Sequence, residues 1–181
     1  MLEKTKQSQF SPGPVLSEET LLRIVFYPDH IDDEGKLKPE AIPTQDLRDR
    51  GFSVYRKLYV KRKKISNVID NYVLKKPERQ CRGISPVLCH TVRSINDRVE
   101  SKAFNVLDDA QTIDDEAHAA IKFSRKYGKA EQKGYRSKLK DKFTAILDTE
   151  SVYTELKNTD PPTIKRSLTE RILSIFTDFW K

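Results

Sequence analysis

Hydrophobic positions fall in short runs between polar and charged stretches, and the period inside each run predicts its element. Residues 21–27 (LLRIVFY) are apolar almost without interruption, rich in β-branched and aromatic side chains, and closed by Pro28. That length and the proline predict a buried strand. Residues 28–43 follow as a loop with a turn at Asp33-Glu34-Gly35. Residues 51–60 (GFSVYRKLYV) predict an extended segment with Phe52 and Val54 on one face, joined by Leu58 or Val60. Beyond it, Ile65, Val68, Ile69, Tyr72 and Val73 recur at i, i+3, i+4, i+7 and i+8, an apolar helical stripe. Lys75 and Lys76 suit the negative end of that helix, and Pro77 stops it.

In the second half, residues 83–95 (GISPVLCHTVRSI) predict a strand that turns helical near its end, and 103–110 (AFNVLDDA) a short strand entering an acidic turn. Residues 114–123 (DDEAHAAIKF) predict a helix start, with Asp114 or Asp115 as cap and acids in the first turn. From Lys122 to Leu147 the chain is basic and helix-compatible, with breaks at Gly128 and Gly134 and a closing stripe of Leu139, Phe143, Ile146 and Leu147. Residues 148–162 form a short helix or turn before a proline break. After Asp160, Ile164, Leu168, Ile172, Ile175, Phe176, Phe179 and Trp180 mark a final amphipathic helix. The predicted class is α+β: a small mixed sheet with packed helices, followed by a basic helical C-terminal extension. The expected divisions are a flexible polar N-terminus (1–19), the α+β domain (20–123) and the basic tail (124–181).

Composition sharpens this picture. Apolar residues make up 36% of the 181 positions and charged residues 34%, so the core is lean and the terminal segments are expected to add little to it. No run of 18 apolar residues exists, and the N-terminus lacks an apolar stretch after its charges; both point to a cytoplasmic protein without a membrane span or secretory signal. Cys81 and Cys89 fit neither a redox nor a zinc spacing and are expected to be reduced thiols.

The net charge of +7 favours anionic partners. Its distribution is blocky. Arg56, Lys57, Lys61, Arg62, Lys63 and Lys64 fall within nine positions containing no acid (RKLYVKRKK), and a second basic block carries Arg125, Lys126, Lys129, Lys133 and Arg136. Lysines at the start of the 62–75 helix add to the positive potential of its free N–H groups, which attracts anions; otherwise they lie solvated on a strand-to-helix connection. In the second block Phe123, Tyr127, Tyr135 and Phe143 interleave with the cations, a pattern that suits base stacking beside phosphate contacts or, equally, a helical pair with an aromatic core.

Catalytic and cofactor motifs are absent from the sequence. His30, His90 and His118 lack metal-ligand spacing, even with Asp108 or Asp114 added, and neither a G-x-S-x-G elbow nor a glycine-rich phosphate loop occurs. No metal and no cofactor are expected.

The segments LLRIVFYPDHID, GFSVYR, SPVLCHTVRSI and EAHAAI, in this order across residues 21–121, resemble the layout of a loose group of small bacterial proteins with no established activity. The resemblance supplies no function; it points to Arg23, Ser53, Tyr55 and His118 as a candidate pocket. An arginine on a first strand and a Ser-x-Tyr on a second are also similar to the way ADP-ribosyl-type folds hold a dinucleotide. Their catalytic glutamate has no clear counterpart, Glu116 and Glu100 being the nearest. The expected role is therefore a non-catalytic accessory protein. The two basic blocks would grip nucleic acid phosphates, and Ile172, Phe176, Phe179 and Trp180 would contact a protein partner or a second copy. An enzyme with a dinucleotide-type pocket around Arg23, Tyr55 and His118 is the alternative.

Overall fold

The computed structural model describes residues 9–112 and 115–157. Five strands form one sheet: β1 (Thr20–Tyr27), β2 (Phe52–Arg56), β3 (Gln80–Leu88), β4 (Phe104–Asp108) and β5 (His118–Phe123), in the order β3-β1-β2-β5-β4. Every pairing is antiparallel, so the α+β class stands but the sheet is not mixed. Five α-helices accompany it among the described residues: α1 (Thr44–Arg48), α2 (Arg62–Lys75), α3 (Cys89–Arg93), α4 (Lys129–Lys140) and α5 (Thr149–Lys157).

β1 lies inside the sheet and buries both of its faces, which is why its sequence is continuously apolar and does not alternate. Leu21 and Val25 face one side; Leu22, Ile24 and Phe26 face the other. On the first side, Phe52, Val54, Phe104, Val106 and Ile121 pack with Leu47 of α1, Val92 of α3, and Tyr135 and Leu139 of α4. On the second, Ile65, Val68, Ile69 and Tyr72 of α2 and Val152, Tyr153 and Leu156 of α5 pack against β1 and Ile84 of β3. The α2 stripe is the one read from spacing, and Tyr72 stacks on Phe26 at 4.3 Å.

Three expectations change. Residues 118–123 are a strand, not a helix: Ala119, Ala120 and Ile121 sit between β2 and β4 and are almost fully buried, so the sheet overrides the helical preference of the alanines. The stripe through Leu147 is not helical throughout, because α4 ends at Lys140 and the chain then runs beside β3. Ile84 and Leu147 exchange two backbone hydrogen bonds of 2.9 Å, and Ser85 Oγ donates to the Ala145 carbonyl at 2.6 Å. The divisions at 19 and 124 do not separate packing units. Val15 and Glu19 are buried, and Tyr127, Tyr135, Leu139 and Phe143 join the core. Gly134 lies inside α4, while Gly128 caps it, its N–H donating to Glu131 Oε2 at 3.1 Å.

Gly83 makes the β3 contact with Leu147 feasible. Its φ is +134°, and a Cβ there would fall 2.2 Å from the Leu147 carbonyl oxygen. Gly83→Ala is expected to destabilise the fold by about 2–4 kcal/mol. Gly134→Ala, with open space around a helical position, is expected to stabilise by about 0.5–1 kcal/mol. Urea unfolding of both variants checks the pair, and a neutral Gly83→Ala would contradict the close approach of residue 147.

Candidate functional site

Among the described residues, the sheet face bearing α2 and α5 is only partly covered. Those helices pack toward β3 and β1, while the β2-β5-β4 half keeps Ser53, Tyr55, Asn105, Leu107, Asp109, His118 and Lys122 half-buried. Register places these side chains on one face: Tyr55 pairs with His118, Ser53 and Leu107 with Ala120, and Asn105 with Lys122. Ser53 Oγ lies 2.5 Å from His118 Nε2. His118 Nδ1 lies 3.2 Å from Asp109 Oδ2 and 3.2 Å from the Asp109 carbonyl oxygen. Tyr55 meets the His118 ring edge-on at 5.9 Å, and burial, then the nearby Asp115 charge, push its phenol up to about 12.

Three of the four residues of the candidate pocket thus come together. Arg23 does not join them. It is adjacent in sequence to Leu22 and Ile24 and so points to the opposite face, where its guanidinium lies 4.5 Å from the Phe52 ring centroid. It reaches Ser53 through the backbone, donating to that carbonyl at 3.0 Å, and its Nε has no hydrogen-bond partner among the described residues. Burial pulls the Arg23 pKa down. Arg23 therefore lies on the other face of the sheet from Tyr55 and His118, and Glu116 is engaged by Lys61 at 3.3 Å. Glu100 sits in the turn that carries Asp97, outside this face.

The first basic block divides on folding. Arg56 is 1% exposed and leaves the set of phosphate contacts. Its guanidinium donates to Glu19 at 2.7 and 2.6 Å, to Asp108 at 3.1 Å, and to the carbonyls of Gly13 and Pro14. Lys57 pairs with Glu155, Lys61 with Glu116, Arg62 with Glu150 at 3.7 Å and Lys64 with Asp115 at 2.8 Å. Lys63 is exposed and forms no ion pair among the described residues. Lys61, Lys63, Lys64, Asn67 and Asn71 line a cleft of about 420 Å³ with Tyr59 and Glu116. Among the described residues no side chain caps that helix end, and its first turn holds no acid.

The second block lies against the other face of the sheet, with α4. Arg125 pairs with Asp97 at 2.8 Å and Arg136 approaches Glu40 at 3.9 Å, while Lys126, Lys129 and Lys133 are exposed. Its aromatics are core, not stacking platforms: Tyr127, Tyr135 and Phe143 are buried and Phe123 packs against them. The proposed partner residues Ile172, Phe176, Phe179 and Trp180 lie outside the described residues.

Among the described residues no group of three His, Cys, Asp or Glu side chains is arranged to hold a metal, and no helix is long and apolar enough to cross a membrane. His90 is exposed on α3, and His30 is buried elsewhere. Asp109 was not singled out from the sequence. Reading 118–123 as a strand would have placed it opposite His118. The chain matches no family model, no curated protein and no solved structure.

His30 accepts a hydrogen bond from the Phe26 N–H at 3.2 Å. Burial, with the positive charge of Arg23, lowers its pKa to about 4. The native state keeps His30 neutral where the unfolded chain, titrating near 6.5, has taken up a proton. Its contribution is complete above the unfolded value and is lost as the pH falls toward 4, by about 3 kcal/mol. Urea unfolding from pH 7 to 4 should show this decline, and His30→Gln should flatten it.

Proposed function

We propose that the protein is an accessory binding protein that grips a phosphate-bearing polyanion, nucleic acid foremost, at the amino end of α2. The observation that carries this reading is the cleft where Lys61, Lys63 and Lys64 converge with the side-chain amides of Asn67 and Asn71. Lysines there supply charge, the amides supply donors, and Tyr59 offers an aromatic wall. The pairs of Lys61 with Glu116 and Lys64 with Asp115 oppose capture only weakly, since partly solvated pairs contribute about 0.2–1 kcal/mol. A phosphate therefore competes for those lysines, and Lys63 has no described acid to release.

Lys126, Lys129 and Lys133 on the α4 side form a second patch. Because α2 and α4 lie against opposite faces of the sheet, one straight strand does not follow both, and the α2 cleft is the primary contact in this reading. Phosphate contacts of this kind set affinity and register without reading sequence. A protein partner for Ile172, Phe176, Phe179 and Trp180 rests on their helical spacing.

Fluorescence anisotropy with labelled single-stranded DNA, single-stranded RNA and duplex DNA between 25 and 300 mM salt tests the reading, these being about the concentrations where counterion release shows most clearly. Three to five phosphates neutralised on a single strand predict a log–log salt slope of about −2 to −4. Changing Lys61, Lys63 and Lys64 together to Gln should weaken binding at least about tenfold and flatten the slope. Changing Lys126, Lys129 and Lys133 to Gln should do less. Absent binding at the lowest salt, or full binding by the first triple variant, would overturn the assignment to the α2 cleft.

A further inference from the structure

We infer that Ser53 is the nucleophile of an ester-hydrolysing site, with His118 as its general base and Asp109 as the residue that positions His118. This does not depend on polyanion binding. It arises from an order of contacts that sequence spacing alone could not give: hydroxyl to Nε2, then Nδ1 to carboxylate. Both groups near His118 Nδ1, the Asp109 carboxylate and the Asp109 carbonyl, are acceptors, so Nδ1 carries the proton in the neutral ring. The Nε2 lone pair then points at Ser53, 2.5 Å away, and accepts its hydroxyl hydrogen. That is the tautomer a general base needs.

Ser53 pairs with Ala120 across the sheet, and Gly51, two residues earlier on the same face, has no side chain. A Cβ at Gly51 would fall 2.6 Å from the Ala120 Cβ and 2.9 Å from the Lys122 Cε. The floor beside Ser53 is thus made of small residues, with Tyr55 and His118 at one end and Lys122 folded over the other. Lys122 brings a cation to the face on which negative charge would develop.

The substrate class is a carboxylic ester. Ser53 Oγ bonds to the carbonyl carbon while its proton passes to His118 Nε2. The tetrahedral intermediate collapses, the ester C–O bond breaks, and the departing alkoxide takes the proton from His118 as an alcohol. Water then attacks the acyl-serine, giving a proton to His118, and the carboxylic acid leaves as Ser53 Oγ recovers that proton. Asp109 holds the imidazole in place.

The full chain is incubated with an alkyl fluorophosphonate, which forms an Oγ–P bond and releases fluoride, and the modified peptide is located by mass spectrometry. The expected result is one adduct per chain, on Ser53, absent in Ser53→Ala. Labelling should slow by about 10²-fold or more in His118→Gln, and Asp109→Asn should also be slower, with unfolding transitions unchanged. p-Nitrophenyl acetate should give a burst of about one equivalent of nitrophenolate per wild-type chain, as acyl-enzyme accumulation predicts. Folded wild type that takes up no probe at Ser53, or His118→Gln labelled at the wild-type rate, would overturn the inference. The wild-type result decides it even where a variant fails to fold.

Discussion

A guanidinium removed from water demands a partner for each of its N–H groups, and Arg56 meets that demand completely. Its five donors have five acceptors: both oxygens of Glu19, one of Asp108, and the carbonyls of Gly13 and Pro14. Burial pulls its pKa down, but the hydrogen bonds and charge of Glu19, helped by Tyr59 and Asp108, more than offset this and hold it raised. The cluster connects the segment before β1 to the end of β2 and reaches across β5 to β4. The chain around Glu19 is then fixed further, its carbonyl accepting from Cys89 N–H at 2.9 Å and the Val15 carbonyl from Arg93 at 3.0 Å. A stretch that reads as a polar lead-in becomes structural because one buried cation needs its oxygens.

The same anchoring settles which parts of the chain can meet a ligand. With Arg56 and Arg23 turned toward the face covered by α1, α3 and α4, the opposite face of β2 carries Ser53 and Tyr55 into the half of the sheet that the described residues cover only in part. Alternation does the sorting: consecutive residues of one strand serve the core and the open surface in turn. It also separates the two basic blocks. The α2 lysines border the open side, whereas the α4 lysines lie across the sheet, and charge that is blocky in sequence is therefore distributed between two surfaces in space.

Much of the fold was legible because its elements agree with their local pattern. The apolar run of β1, the five-residue stripe of α2 and the strand-to-helix change at Leu88–Cys89 all follow from period and punctuation. β5 was not legible: His-Ala-Ala-Ile lacks the β-branched density of a strand, and only its position between β2 and β4 requires small buried residues there. The 143–147 segment misled for the opposite reason, since its apolar residues continue a helical spacing while Gly83 and Ile84 draw the backbone onto β3 instead. The site inherits both limits. Ser53, Tyr55 and His118 were singled out through the resemblance of their segments to a known layout, but the face Arg23 takes, and the meeting of Asp109 with His118, follow from strand register, which one sequence does not print.

If the Arg56 cluster governs the architecture, its members must be coupled, and a double-mutant cycle on Arg56 and Glu19 measures that coupling directly. Arg56→Met and Glu19→Met should each destabilise by about 3–5 kcal/mol, because each leaves a buried charge without its main partner. The double variant should be no worse than the poorer single one, giving a coupling of about 3 kcal/mol. Losses that add to within about 0.5 kcal/mol would contradict the account, for they would mean that the two charges stabilise the fold independently.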